Sequence, residues 1–378
     1  MRFTERIPVA WCMLVHRKGR FLLSTLGIAF SVMIMFMEIG FFNGINDSQA
    51  RLATYLDADI VMIHHERNSL LEGNQLNRIA MQQALALDEV IAATPLYEGN
   101  LLAINAESGM ARAISVVAFP PYTHPLKLKG LEQFDSLLAI KGNILFDRKS
   151  RDIYGPVEVG TTLTLGHTPH LVVGLVEMGP SIQYDGYVFM GSQTLNESKA
   201  DADLLTMALL KAAPGTDIPA LKTKLAAMFV DEIDLFTPEE LRHREVVFTA
   251  QATPAGGVFA VGLVIGFIIG LIICYQILFN EISDNMPQYA TVKAVGFPSG
   301  YLVRLVLQQA VLLACFGFIP GLAGGYLLYH AIESSTQILM IISVERAVLV
   351  FALTFIMCVL SGLLAVQKVL RTDPAEVF

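Results

Sequence analysis

Along the chain the apolar positions gather into four long runs and one long mixed stretch. The runs are residues 21–42, 257–279, 301–329 and 347–366. Each is long enough for the ~20 helical residues that span a bilayer. Pro320 lies inside the third run and predicts a kink there. The first run has too long an apolar core for a cleaved signal peptide, and no A-x-A-like site follows it, so an uncleaved anchor is expected.

Between the first and second runs the pattern changes to short alternating segments. DADIVMIHH reads as a strand, NQLNRIAMQQALAL as an amphipathic helix, and YEGNLLAIN and ARAISVVAF as strands. Near the end of the stretch LLTMALLKA is a strand, IPALKTKLAAMF a helix and EIDLFT a strand. These halves predict one α+β lobe built from 57–129 and 203–237. The Gly- and Pro-rich centre, 130–202, carries EVGTTLTLG, HLVVGLVEM and YDGYVFMG and reads as an inserted β-rich lobe. NGINDSQARLATYL and PEELRHREVVFTAQ are helix-competent and predict a stalk at both ends. Thr237, Pro238 and Glu240 supply a capping box for the second. The expected fold class is therefore an α-helical membrane protein with four transmembrane helices and a large two-lobed α+β domain, 43–256, between helices 1 and 2.

Composition agrees. Hydrophobic residues make up 54% and charged residues 16% of 378, with mean hydropathy +0.54, against ~25% charged in soluble domains. A net charge of -8 without any Lys/Arg-rich block argues against nucleic acid as a partner. Cys12, Cys274, Cys315 and Cys358 all lie in or beside apolar runs, so no disulfide framework or zinc motif is expected. Arg2, Arg6, Arg17, Lys18 and Arg20 precede the first run and predict a cytoplasmic N-terminus. Lys293 and Arg304 then mark a cytoplasmic loop, and Lys368 and Arg371 a cytoplasmic C-terminal tail, 367–378. The short loop 330–346 is placed outside with the large domain.

Motifs for chemistry are few. No phosphate loop of the G-x-x-x-x-G-K-[ST] kind, no H-E-x-x-H and no G-x-S-x-G occurs. His64-His65 and His167/His170 lack further ligands at workable spacing, so no metal and no catalytic residue is expected. Glu38 is the ionisable residue well inside a run, ~26 Å from its cytoplasmic end at ~1.5 Å per residue. It reads either as an interfacial carboxylate or as a gating residue. Gly262, Gly266 and Gly270 in the second run and Gly317, Gly321 and Gly325 in the third recur every four residues, and Gly27 and Ser31 join them from the first. Such spacing puts each set on one helix face for close packing, within the chain or between subunits.

The polar segment NEISDNMPQYATVKAVG, from Asn280 to Gly296, separates runs two and three. Ile282, Met286, Tyr289, Val292 and Val295 form a helical apolar stripe, and Gly296 stops it. Lipid-surface helices carry many basic residues; this segment has Lys293 alone, which fits a helix docking in a groove of a protein partner.

PQYATVKAVGFPSGYLVRLVLQQAVLLACFGFIPGLAGG resembles the C-terminal half of the FtsX-like, MacB-like permeases of type VII ABC transporters. AWCMLVHRKGRFLLSTLGIAFSV is similar to their elbow helix entering span one, here 1–20, and RTDPAEVF to their DP-x-E ending. The segment NEISDNMPQYATVKAVG most resembles the DevC-type branch. Gln288 and Gln309 stand where the family usually has Glu. The resemblance implies that 280–300 is a coupling helix, with Met286, Pro287, Gln288, Tyr289, Thr291, Lys293 and Gly296 meeting a separate ABC ATPase that holds ATP and Mg. It implies a homodimer in the bacterial inner membrane that transmits motion to a periplasmic domain. It also implies a periplasmic adaptor, a TolC-like outer-membrane channel and an amphiphilic export substrate. The alternative is a mechanotransmitting signal protein that activates a periplasmic partner such as a cell-wall hydrolase. Neither reading makes the chain an enzyme, and neither requires a cofactor in it.

Overall fold

The computed structural model describes residues 9–16, 18–70, 73–181, 183–195, 203–252, 254–287, 289, 291, 295–336 and 340–371. The elements begin with α1 (Val9–His16), α2 (Lys18–Gln49), α3 (Arg51–Tyr55), β1 (Ile60–His64), β2 (Leu76–Asn77) and α4 (Arg78–Leu85). They continue with β3 (Val90–Ile104), β4 (Ala111–Phe119), α5 (Asp135–Leu138), β5 (Asn143–Asp147), β6 (Thr162–Leu165), β7 (Thr168–Val176) and β8 (Tyr187–Gly191). Then come α6 (Ser192–Leu195), β9 (Leu204–Leu205), β10 (Met207–Ala212), α7 (Ile218–Met228), β11 (Ile233–Phe236) and α8 (Pro238–Ala252). The chain closes with α9 (Pro254–Asp284), α10 (Ser299–Thr336) and α11 (Val344–Arg371).

Two compact units result. One comprises residues 1–43, 255–332 and 340–378; the other comprises 44–254 and 333–339. Helices α2, α9, α10 and α11 are each long and apolar enough to cross a membrane. Each outlasts its apolar run because polar residues continue the helical hydrogen bonding past the apolar stretch. α2 runs on to Gln49, and α9 reaches Asp284. Pro320 sits inside α10, which continues as helix past it.

The second unit is built on a nine-stranded sheet in the order β11-β1-β10-β3-β4-β8-β5-β7-β6, and β6 also pairs with β3. Strands β3, β4, β8, β5, β7 and β6 thereby close a ring of hydrogen bonding, which leaves the far end of the sheet without a free edge. Closure depends on the length of β3. Its first half pairs with β10, whereas its second half pairs with β4 and β6. β4 pairs along its length with β3 and, in parallel, with β8 from the centre, so 111–119 joins the two groups of strands.

Alternation explains why these segments become strands buried on both sides. Ile60, Met62, Val116, Ala118, Ile144, Val188, Met190, Ala208 and Leu210 join one apolar core. Their neighbours Val61, Ile63, Val117, Phe119, Leu145, Phe189 and Leu209 join the other. A sheet covered on both faces needs apolar residues at successive positions, hence the near-continuous runs. The flanking helices are set by their caps. Asn77 Oδ1 accepts from Ile79 N at 2.9 Å, and Asp217 caps α7 with Pro219 in its first turn. In α8 the capping box forms reciprocally: Glu240 N donates to Thr237 Oγ1 at 3.2 Å and Thr237 N to Glu240 Oε2 at 2.7 Å.

Candidate functional site

Within the first unit, α2 is held between two glycine faces. A methyl group built on Gly262, Gly266 or Gly270 of α9 would meet Glu38, Ile34 and Ser31 in turn, and one on Gly27 would meet Ile273 and Ile277. The α2 partners descend as the α9 numbers rise, so these helices are antiparallel. On α10, Gly317, Gly321 and Gly325 lie against Ile28, Val32 and Phe36, a parallel register. Every one of these glycines faces a helix of its own chain. Small residues at four-residue spacing let the backbones approach. Ser31 itself is buried and donates to the Gly27 carbonyl at 3.3 Å.

Gly40, outside the sequence series, belongs to the same design: Tyr329 packs over it and donates its hydroxyl to the Phe36 carbonyl. A lone glycine carries no periodic signal, so it escaped the pattern. Likewise Ser361 of α11 donates to the Leu271 carbonyl of α9 at 2.8 Å.

Glu38 rests against the Gly262 face and lines an apolar cavity of about 280 Å³ with Phe42, Phe259, Leu263 and Leu349. At the other end of these helices Arg20 pairs with Asp284 and, at 3.4 Å, with Glu281, tying the start of α2 to the end of α9. Trp11 of α1 stacks near Phe21 and Phe316 (ring centroids 6.0 and 5.1 Å), which fixes α1 against α2 and α10.

Beyond α9 helical hydrogen bonding persists at intervals: Asn285 N donates to Glu281 O, Tyr289 N to Asn285 O, and Val295 N to Thr291 O. Gly296 then takes φ +98°, the left-handed conformation that ends the helical path. The apolar stripe is oriented differently from the sequence expectation. Ile282 belongs to α9 and is buried, and Tyr289 is also buried, its hydroxyl donating to Gln309 Oε1 over a long 3.4 Å. Burial raises the Tyr289 phenol above the usual tyrosine range. The Tyr289 contact thereby anchors the segment to α10. The exposed side carries Pro287, Thr291 and Val295 at four-residue spacing, with Met286 half-buried beside it. Gln288, Val292 and Lys293 lie outside the described residues. Gln309 is buried on α10, and its Nε2 has no partner among the described residues.

The histidines do not converge. His65 pairs with Asp234 at 2.9 Å, and His64 Nδ1 accepts from Glu66 N. Among the described residues no three His, Cys, Asp or Glu side chains gather as metal ligands. Cys274, Cys315 and Cys358 are free thiols.

Residues 21–228 match the family model of the MacB-like periplasmic core domain, and residues 258–374 match that of the FtsX-like permease C-terminal region. The first match alone spans more than half of the chain. No curated protein matches by sequence. Among solved structures, the periplasmic region of MacB from Actinobacillus actinomycetemcomitans is similar at 12% identity and TM-score 0.38, over 50% of this chain and 92% of that one. The extracellular domain of the noncanonic ABC-type transporter YknZ from Gram-positive bacteria is similar at 13% identity and TM-score 0.34, over 45% and 91%. A domain of a putative permease protein from Porphyromonas gingivalis is similar at 16% identity and TM-score 0.30, over 47% and 85%.

Proposed function

We propose, on the premise that the chain belongs to the MacB-like family of FtsX-like permeases, that it is the membrane subunit of an ABC exporter. Two copies work with a separate ATPase that binds ATP and Mg. The subunit lies in the bacterial inner membrane with both termini cytoplasmic and its sheet domain periplasmic. That domain hands force to a periplasmic adaptor joined to a TolC-like channel, and the cargo is an amphiphile of the kind the DevC-type branch exports.

The observation that carries this reading is the segment after α9. Pro287, Thr291 and Val295 face outward while Tyr289 is anchored to Gln309 of α10. A push on the outer face is thus delivered to α10. α10 packs on α2 through Gly317, Gly321 and Gly325, and α2 continues unbroken to Gln49. Nothing in this path requires the cargo to pass between the helices.

Co-purification of the tagged permease in mild detergent tests the reading. Recovery of an ABC ATPase together with an adaptor is expected. Thr291→Arg and Val295→Asp, both at exposed positions, should release the ATPase without lowering the melting temperature. Recovery of a wall hydrolase instead of an adaptor would favour signalling, and the absence of any ATPase would overturn the coupling role.

A further inference from the structure

Four cations of the second unit, Lys127, Lys129, Arg148 and Lys149, line one concave cavity of about 420 Å³. They come from two separate segments, each held by backbone bonds. One wall is the 125–129 strip, fixed beside the end of α3. Leu56 bridges to Leu126, Asp57 N donates to Pro125 O at 2.8 Å, and Lys127 N donates to Tyr55 O at 2.7 Å. Tyr55 stands in the same wall.

The other wall rises from the C-terminal ends of the parallel strands β5 and β7, where Asp147 and Val176 are partners. Just past that point Arg148 N donates to Val176 O at 2.8 Å. The buried Asp147 carboxylate accepts from Lys149 N at 3.1 Å, Met178 N at 2.9 Å and Gly179 N at 2.6 Å. These bonds fix the turn that presents Arg148 and Lys149, and Leu175 and Val176 contribute an apolar patch.

The charge is unbalanced. Glu177 is the acidic residue of the lining, 3.8 Å from Arg148 and 3.6 Å from Lys149, against four cations. Crowding like charges in a concavity is unfavourable unless an anion fills it, and a cleft of one sign concentrates the opposite ion. This occurs in a chain whose net charge is -8. A tetrahedral anion with several oxygens suits one guanidinium fork and three ammonium groups better than a single carboxylate does. The volume lies within the range of small-ligand sites, ~300–1,000 Å³.

We infer that this cleft binds a phosphate ester, carried either by a lipid headgroup or by a free small molecule. The assignment is independent of the exporter reading, since it rests on the outer domain alone. Calorimetric titration of the full-length protein in uncharged detergent tests it, with three probes: glycerol phosphate, dioctanoyl phosphatidic acid and dioctanoylglycerol. Saturable binding of one or both phosphate probes, and none of dioctanoylglycerol, is expected.

Lys127→Gln/Lys129→Gln and Arg148→Gln/Lys149→Gln should each weaken that binding about tenfold or more, the loss of two charge-assisted hydrogen bonds. Lys224→Gln on α7 should not, and added salt should weaken the wild type. Because these side chains are exposed, the melting temperature should stay unchanged, which separates lost binding from lost fold. A preference for phosphatidic acid identifies a headgroup site; equal affinity for glycerol phosphate identifies a free ester. Absence of saturable binding to both phosphate probes, or wild-type affinity in the quadruple variant, would overturn the assignment.

Discussion

Around α2, close packing is achieved by leaving side chains out. Gly266 and Gly270 on one side and Gly317, Gly321 and Gly325 on the other bring backbones within reach of α2 side chains. In the outer domain the opposite device operates: Phe119, Phe189, Leu145 and Leu209 fill the space on one face of the sheet with bulk, and Tyr97, Phe146, Met190 and Leu210 do so on the other. The difference follows from the solvent. Water drives large apolar side chains together in the sheet domain. In lipid that drive is absent, and contact distance between backbones becomes the main source of attraction. One unit is therefore sensitive to added atoms and the other to removed ones.

The largest effect that would break this contrast is expected from Phe189→Ala. Phe189 is fully buried between strands, and its loss should cost about 3–5 kcal/mol, read as a lower outer-domain melting transition. Next is Gly321→Val. Its added Cβ meets Val32 and lies 2.9 Å from the Ala29 carbonyl, a backbone atom that cannot step aside. About 3 kcal/mol, the upper end for overpacking, is expected, seen as loss of monodisperse protein in detergent. If Gly321→Val were silent while Phe189→Ala unfolded the domain, the α2–α10 contact would be looser than described.

Glu245 sharpens the comparison within the outer domain, because its core also contains an ordered carboxylate. It accepts from Ser69 Oγ at 2.7 Å and Leu70 N at 3.1 Å, joining α8 to the 67–70 loop. Glu245→Ala leaves that buried N–H without a partner and should cost about 1–3 kcal/mol by denaturant melt. Burial raises its carboxyl above the usual glutamate range. The folded domain therefore favours the neutral acid relative to the unfolded chain. The stability gained this way is fully present below the ordinary glutamate range and is lost as pH rises through the raised folded value. Glu245→Gln should flatten that decline, and an unchanged pH profile would disprove the contribution. The smallest effect is expected from Gly266→Ala, whose methyl meets the Ile34 Cγ2 methyl at 3.0 Å and has no backbone atom among its nearest neighbours. Less than about 1 kcal/mol should be lost there.

Legibility from sequence followed the range of the interactions. The four spans, the cap at Thr237 and the left-handed stop at Gly296 all depend on residues within a turn or two of one another. The facing of Tyr289 was not legible. Periodicity shows that a stripe exists, but whether it meets Gln309 in the same chain or a partner depends on where α10 lies. The pairing of β3 was not legible for a related reason: it is one continuous strand that serves two partners in succession, and no local pattern reveals a change of partner midway.

A four-span chain with a large α+β insert is readable from the order of residues alone, because apolar length and alternation are properties of consecutive residues. Which helix each glycine face meets, how β6 returns to β3, and the sharing of one cavity by Lys127, Lys129, Arg148 and Lys149 emerge only from the folded chain. Those residues are near neighbours only after the 125–129 strip pairs beside α3 and the ends of β5 and β7 come together. Separated along the chain, four cations among 26 Lys and Arg carry no signal; brought to one concavity they act as a single charge.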